Sequence, residues 1–283
     1  MSFTVDPSKT SVLKILMENI ADINNQVNIT LYESHLYIQG MDPSHVCLFE
    51  LKLANTWFQE YSVSKNTTVG IDLDIVNKVI SCCGKTQSVQ IQTGDNVDKI
   101  TINLKGGKGT EIDKSFETSI YDFEIELLNI TDIDSDIDIS IDAQLLNTLV
   151  EQIAVFGDSI RFECSDSGIT LISKENKLST EMKCKIGIDK IATYSTTDED
   201  VNNEYSILYY SKLCKYAKLM KKDATVDIQI AADVPLIMKY NLSSDDDTYE
   251  CDTEDGGDSD APVIGQNVMM LCLAPKVTDD FDD

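Results

Sequence analysis

Hydrophobic residues recur with a helical period in several stretches of the chain. A helix over residues 9–21 would place four of them on one face: Leu13, Leu16, Met17 and Ile20. Asp6-Pro7-Ser8 offers a cap just before this helix. The same period predicts three further helices, at Asp72–Cys83, Asp142–Phe156 and Ser206–Met220.

Between these helices, apolar and polar residues alternate as in half-buried strands. Val27, Ile29 and Leu31 give the first such pattern. Similar patterns occur at 36–38, 46–53, 89–92, 100–104, 137–141, 160–164, 169–172, 226–230, 235–240 and 268–274. Polar edge strands are predicted at 109–119 and 177–187. The fold class is therefore α+β, with each half combining antiparallel sheet and two amphipathic helices.

The two halves repeat one another. Val89–Gln92 is echoed by Val226–Gln229, and each helix of the first half has a counterpart in the second. All these shifts are about 135 residues, which indicates a duplicated domain. We therefore predict an N-terminal domain at 1–119, an interdomain connector at 120–136 and a C-terminal domain at 137–283.

The connector, Ile120–Asp136, mixes aliphatic and acidic residues and has no glycine or proline. Its apolar residues keep neither a helical nor a strand period, so we expect an extended segment that docks or is docked upon. The alternative is a plain surface linker. Ser243–Asp260 is an acidic run with little to bury, and its composition predicts a disordered insertion.

Composition narrows the function classes. The formal net charge is −26, so the chain repels nucleic acid except where positive charges gather. Arg161 is the one arginine, which argues against sequence-specific reading of DNA. The eight cysteines form no C-x-x-C pair and are expected to be reduced thiols. No apolar run is long enough to span a bilayer, and no membrane partner is expected.

The residues suggest no enzyme, metal site or cofactor. An EF-hand loop starting at Asp132 would need glycine and glutamate where Ile137 and Ala143 stand. His35 and His45 have no partner at ligand spacing, and no nucleotide-binding or nucleophile motif is found. A nuclease that uses the Asp132–Asp138 run is kept as an alternative from another class.

Lysines lie on the predicted helices, away from the apolar faces. At about 100° per residue, the fourth helix has one apolar arc of Tyr209, Leu213, Tyr216, Ala217 and Met220. Its opposite arc carries lysines, and the first two helices add more. This set is Lys14, Lys78, Lys85, Lys212, Lys215, Lys218 and Lys222. Lysines there would bind phosphate without reading sequence, although a solvated helix face is the simpler interpretation.

Four segments carry a resemblance to a known family. They are Ile38–Leu48, Val63–Cys82, Ala232–Leu236 and Leu273–Lys276. In this order they resemble eukaryotic-type sliding clamps of the proliferating cell nuclear antigen (PCNA) family. The many lysines, isoleucines and asparagines indicate an AT-rich genome, such as that of a large DNA virus or a protist.

The resemblance implies the DNA-clamp fold: a homotrimeric ring whose helices line a hole around double-stranded DNA. Edge strand 109–119 would pair with 177–187 of a neighbour. The ring would tether DNA polymerase and other clamp-binding-peptide proteins as a processivity factor in DNA replication and repair, and would need a clamp loader. Its location would be the nucleus, or the site of viral DNA replication. The alternative is a subunit of a heteromeric checkpoint-type clamp, or a clamp paralogue that acts as a monomeric adaptor.

The resemblance also implies a partner-peptide pocket, and Cys272 stands where the family usually has a pocket tyrosine. The pocket residues would be Met41, His45, Val46, Leu48, Leu128, Ile130, Val234, Pro235, Leu273, Ala274 and Pro275.

Overall fold

A computed structural model gives the structure of the chain. It describes residues 1–93, 98–109, 111–124, 127–128, 130, 134–175, 180–197, 201–232, 234–243 and 267–276. The predicted insertion at Ser243–Asp260 therefore falls, apart from Ser243, outside the described residues. None of the described helices is both long and apolar enough to cross a bilayer.

In the first half the elements follow one another in this order: β1 (Ser2–Val5), α1 (Thr10–Ala21), β2 (Gln26–Leu31), β3 (His35–Met41), β4 (Cys47–Ala54), β5 (Glu60–Ser62), β6 (Thr67–Asp72), α2 (Leu73–Ser81), β7 (Ser88–Thr93), β8 (Lys99–Lys105) and β9 (Lys114–Ser119).

The second half continues with β10 (Ile137–Asp142), α3 (Ala143–Ile153), β11 (Ser159–Ser165), β12 (Gly168–Glu175), β13 (Thr180–Gly187), β14 (Thr193–Thr196), β15 (Val201–Ser206), α4 (Ile207–Cys214), β16 (Thr225–Ile230), β17 (Leu236–Asn241) and β18 (Val268–Leu273). Short 3₁₀ helices lie at Pro7–Lys9, Asn55–Trp57, Ile188–Lys190 and Lys215–Leu219.

Contacts divide the chain into two compact units. Unit 1 comprises residues 1–40, 50–127 and 241–269, and unit 2 comprises 41–49, 128–240 and 270–283. Each unit is antiparallel sheet with one pair of packed helices, α1 with α2 and α3 with α4. This architecture belongs to the α+β class that the sequence predicts.

In unit 1 one sheet has the strand order β5-β1-β7-β8-β9, and β2 pairs with both β3 and β6. The register explains the alternating pattern: Val27 faces Ile71 and Ile29 faces Val69, and all four side chains are buried. Leu16 and Ile20 of α1 are fully buried as well. Asp6 caps the 3₁₀ helix Pro7–Lys9 that precedes α1, because its carboxylate accepts the Ser8 N–H at 2.9 Å, whereas α1 itself begins without a side-chain cap.

In unit 2 one sheet has the order β13-β12-β11-β15, while β10 lies between β14 and β16. The aromatic core is built around Phe162, whose ring lies 5.6 Å from that of Tyr205 and 5.2 Å from that of Tyr210. The hydroxyl of Tyr240, also buried, donates to the Leu213 carbonyl at 3.1 Å.

The helices and most strands agree with the sequence prediction, but some predicted bounds and positions need correction. The edge strand predicted at 109–119 begins only at Lys114, because the glycine-rich turn before it extends further. The fourth helix is α-helical only to Cys214 and then tightens into the 3₁₀ helix. Tyr209 does not lie in the core, whereas Tyr210 is fully buried.

Candidate partner and DNA interfaces

The loop that follows β3 is organised by the Asp42 carboxylate, which is buried in unit 2. Its Oδ1 accepts the N–H groups of Val46 at 2.7 Å and Cys47 at 2.6 Å. Its Oδ2 accepts the Ser44 N–H at 2.9 Å. Burial acts to raise the pKa of Asp42, but these hydrogen bonds and one from a tyrosine outweigh burial and leave the pKa lowered. The carboxylate therefore stays ionised near neutral pH and shapes the loop.

This loop contacts the segment that follows β18. The Ala274 N–H donates to the Val46 carbonyl at 2.9 Å, so two predicted pocket residues are brought together. Leu273 and Leu48 are both buried, so neither side chain presents an open surface. His45 is exposed and adopts a φ of 58°, a left-handed conformation that a non-glycine residue takes in a tight turn.

The remaining predicted pocket residues present partly accessible surface. Leu128 is 43% exposed and Pro235 is exposed. The others are half-buried: Met41, Ile130, Val234 and Pro275. Cys272 is half-buried too. The thiol of Cys47 is buried and lies near Asp42 and Cys272, and these surroundings raise its pKa to about 12.

The start of the connector docks within unit 1, as expected. The Tyr121 N–H donates to the Gly70 carbonyl at 2.9 Å, and Asn28 Nδ2 donates to the Phe123 carbonyl at 2.9 Å. The rings of Tyr121 and Phe123 stack with centroids 5.4 Å apart. Connector residues 125–126, 129 and 131–133 lie outside the described residues.

The predicted DNA-facing lysines lie at different places on the helices. Lys14 is half-buried on α1 and lies 3.8 Å from Glu18, while Lys78 is exposed on α2. Lys85 is exposed in the turn after α2. Lys215 and Lys218 lie on the 3₁₀ helix after α4, and Lys222 is exposed beyond it.

Lys212 is placed differently from the other lysines. It lies on α4, and its ammonium is 5.2 Å from the centre of the Tyr209 ring. The Tyr209 hydroxyl donates to Asp42 Oδ2 at 2.7 Å, so this part of α4 faces the loop of the predicted peptide pocket. Sequence analysis missed this contact, because it assigned Tyr209 to the apolar arc.

The acidic run after the connector takes part in local hydrogen bonds. Asp136 accepts the Ala232 N–H at 3.0 Å, and Asp138 accepts from Ser135 at 2.8 Å and from Gln229 at 3.2 Å. Asp132 lies outside the described residues. Within the described ranges no three His, Cys, Asp or Glu side chains are grouped as a metal site requires.

Comparison with known proteins agrees with this architecture. Residues 3–137 match the model of the proliferating cell nuclear antigen N-terminal domain. Proliferating cell nuclear antigen 1 of Plasmodium falciparum (isolate K1 / Thailand) is 25% identical over 282 residues, which cover 98% of this chain and 97% of the relative. A probable DNA polymerase sliding clamp 2 of Paramecium bursaria Chlorella virus 1 is 24% identical over 281 residues, covering 99% and 93%. Residues 3–137 thus match a PCNA N-terminal domain, and over nearly its full length the chain is similar to proteins named as PCNA and as a sliding clamp.

Proposed function

We propose that this clamp works as a homotrimeric ring that encircles double-stranded DNA and tethers DNA polymerase and other peptide-bearing replication factors. The observation that carries the proposal is the full-length likeness to proteins named as PCNA and as a sliding clamp. The relatives named above give no support to the alternative of a heteromeric checkpoint-type clamp. The mass of the purified chain in solution tests the ring directly, because a monomeric mass would contradict it.

The proposed DNA contact uses lysines of the helical segments, of which Lys78 and Lys218 are exposed and Lys215 is half-buried. In a chain of net charge −26, Lys78, Lys215 and Lys218 would offer phosphate groups a favourable place. Such contacts release counterions, so affinity should fall with salt and ignore base sequence. Three-fold repetition of these three lysines would bring about nine charges to the duplex.

The test is a charge reversal with a matched control. Changing Lys78, Lys215 and Lys218 to Glu should abolish processive synthesis by a clamp-dependent polymerase on a long template and flatten the salt dependence of DNA binding. Lys212 is left unchanged because it lies beside Tyr209.

The control variant changes three exposed lysines outside the proposed DNA surface by the same total charge, namely Lys65, Lys99 and Lys190. It should keep both activities, since its lysines are not proposed to face DNA. Processive synthesis by the helix variant at moderate salt would contradict the proposed interior surface, provided that both variants keep the mass of the wild-type protein.

The proposed peptide pocket uses the loop of Asp42, the segment Leu273–Pro275 and the connector. Replacing Leu128 and Ile130 with Ala should weaken a consensus clamp-binding peptide by a few kcal/mol, as for buried anchors. The assembly should be unaffected. Unchanged affinity in calorimetry would remove the connector from the pocket.

We further propose that residues 1–119 and 137–283 act as two similar domains joined by the connector 120–136, with a non-enzymatic role at replicating DNA in the nucleus or at a viral replication site. The clamp would need a loader to open the ring. A nuclease activity would instead appear as metal-dependent turnover that is lost when the aspartates of the run Asp132–Asp138 become Asn.

A further inference from the structure

The loop from Met41 to Val46 is stabilised by backbone hydrogen bonds to Asp42 and by one hydrogen bond from a side chain of α4. Within the loop, the N–H groups of Ser44, Val46 and Cys47 all donate to the Asp42 carboxylate. The fourth donor is the Tyr209 hydroxyl of α4, at 2.7 Å from Oδ2. A hydrogen bond to an ionised carboxylate is stronger than one between neutral groups, so this contact is a firm link between helix and loop.

Tyr209 is oriented for this contact and not for the core. The core-facing side chains of α4 are Ile207, Tyr210, Leu213 and Cys214. Tyr209 is half-buried beside them, and the Lys212 ammonium lies 5.2 Å from its ring centre, within the range of a cation–π contact. The pKa of Tyr209 is raised, chiefly because its hydroxyl donates to Asp42, so the phenol remains a donor at neutral pH.

The position of the loop matters because Val46 accepts the Ala274 N–H at 2.9 Å. A shift of the loop would therefore change the spacing between two of the proposed pocket segments. We propose that Tyr209 is a positioning residue for the partner-peptide site: it fixes the loop Met41–Val46 in its peptide-binding shape and ties that loop to α4. This inference rests on the proposed function of the pocket.

The expected effect follows from population arithmetic. Without the phenol hydroxyl, Asp42 keeps three backbone donors but loses its hydrogen bond from α4, and the Ser44 side chain loses its hydrogen bond with Tyr209. If the peptide-binding conformation of the loop then becomes a minority conformation, the apparent affinity for the peptide falls in proportion to its population. Loss of one hydrogen bond to a charged group corresponds to roughly a 10-fold change or more in such a population. We expect the peptide affinity to fall at least about 10-fold.

The test is Tyr209→Phe, which keeps the ring beside Lys212 and removes only the hydroxyl. Tyr37→Phe is the matched control, because the Tyr37 hydroxyl also donates to a carboxylate, that of Glu50, at 2.7 Å. The probe is a fluorescein-labelled synthetic peptide with the consensus clamp-binding sequence, followed by fluorescence anisotropy. Hydrogen exchange of the Val46 and Cys47 amides is measured in the same variants.

The inference expects weaker peptide binding and faster exchange of these two amides in Tyr209→Phe, with unchanged exchange in the α4 core and no change in Tyr37→Phe. Adding Tyr209→Phe to Asp42→Asn should cost less than it does in the wild type, because the link is already broken. Wild-type affinity and exchange in Tyr209→Phe would overturn the inference alone. A wild-type protein that does not bind the peptide would overturn the proposed pocket, and the positioning role with it.

Discussion

Gly70 of β6 allows the connector to approach the sheet, and replacing it with alanine should detach the start of the connector. A methyl group at this position would overlap the Tyr121 carbonyl oxygen. It would also lie 2.9 Å from the Tyr121 carbonyl carbon and 3.0 Å from Cδ2 of Phe123. The first obstacle is backbone, which cannot rotate away as a flexible side chain can. The segment must therefore withdraw.

The magnitude follows from the contacts that withdrawal would break. One is the hydrogen bond from the Tyr121 N–H to the Gly70 carbonyl, and the other joins Asn28 to the Phe123 carbonyl. At about 0.5–1.5 kcal/mol each, their loss costs roughly 1–3 kcal/mol. This is the loss for the docked segment, since β6 stays folded when the connector withdraws, and it corresponds to a roughly 5- to 150-fold faster exchange of the Tyr121 amide.

The assay is hydrogen exchange on the folded protein, with Asn28→Ala as a control. That variant removes one of the two hydrogen bonds without a clash, so its effect should be smaller than that of Gly70→Ala. If Gly70→Ala leaves the Tyr121 amide as protected as in the wild type, the docking argument fails. If exchange rises instead along the ladder between β2 and β6, the strand yields rather than the connector.

Three further outcomes are expected. Gly168→Ala should destabilise unit 2 by about 1–3 kcal/mol in chemical denaturation, because Gly168 has a φ of 123° and a methyl group there would overlap the Ile186 carbonyl. Under native conditions, exposed Cys82 should be alkylated long before the buried thiols, as mass spectrometry can follow. Those thiols, with pKa values raised by burial, are Cys47, Cys164 and Cys214. The pKa of Asp42 is lowered in the folded state, so its stabilisation of the loop is present above the unfolded value of about 3.9 and is lost as pH falls through the folded value. Amide exchange of the loop, corrected for the intrinsic pH dependence, should rise on acidification, and Asp42→Asn should flatten this response.

The sequence alone predicts those helices and strands whose hydrophobic pattern is strong and local. The alternation at Val27, Ile29 and Leu31 predicts β2, and the helical period after Asp6 predicts α1. Short or polar strands escaped prediction because they bury few side chains, as in β5 and β14. Their strand character comes from pairing with β1 and β10, which a local pattern does not contain.

The error at Tyr209 has a specific physical cause. A wheel of about 100° per residue assumes one α-helix over Ser206–Met220, but the helix tightens after Cys214 to 3₁₀ geometry, with about 3 residues per turn. Averaging the two parts on one wheel shifted the apparent apolar arc toward Tyr209. The buried face of the α-helical part alone is centred on Tyr210 and Leu213, so Tyr209 lies at the border of the core.

The partner of Tyr209 lies beyond any local pattern, since Asp42 is 167 residues away in the chain. The same contact changes how Lys212 is understood. A wheel places it opposite the core, and so among the lysines that would meet DNA. In the structure its ammonium lies beside the Tyr209 ring, and its charge acts on the Cys47 thiol of the loop. Because Lys212 and Tyr209 are three residues apart on one helix, a charge reversal at Lys212 would disturb the loop and the helix surface together. Experiments on the proposed DNA surface therefore have to leave Lys212 intact if their outcome is to report on DNA alone.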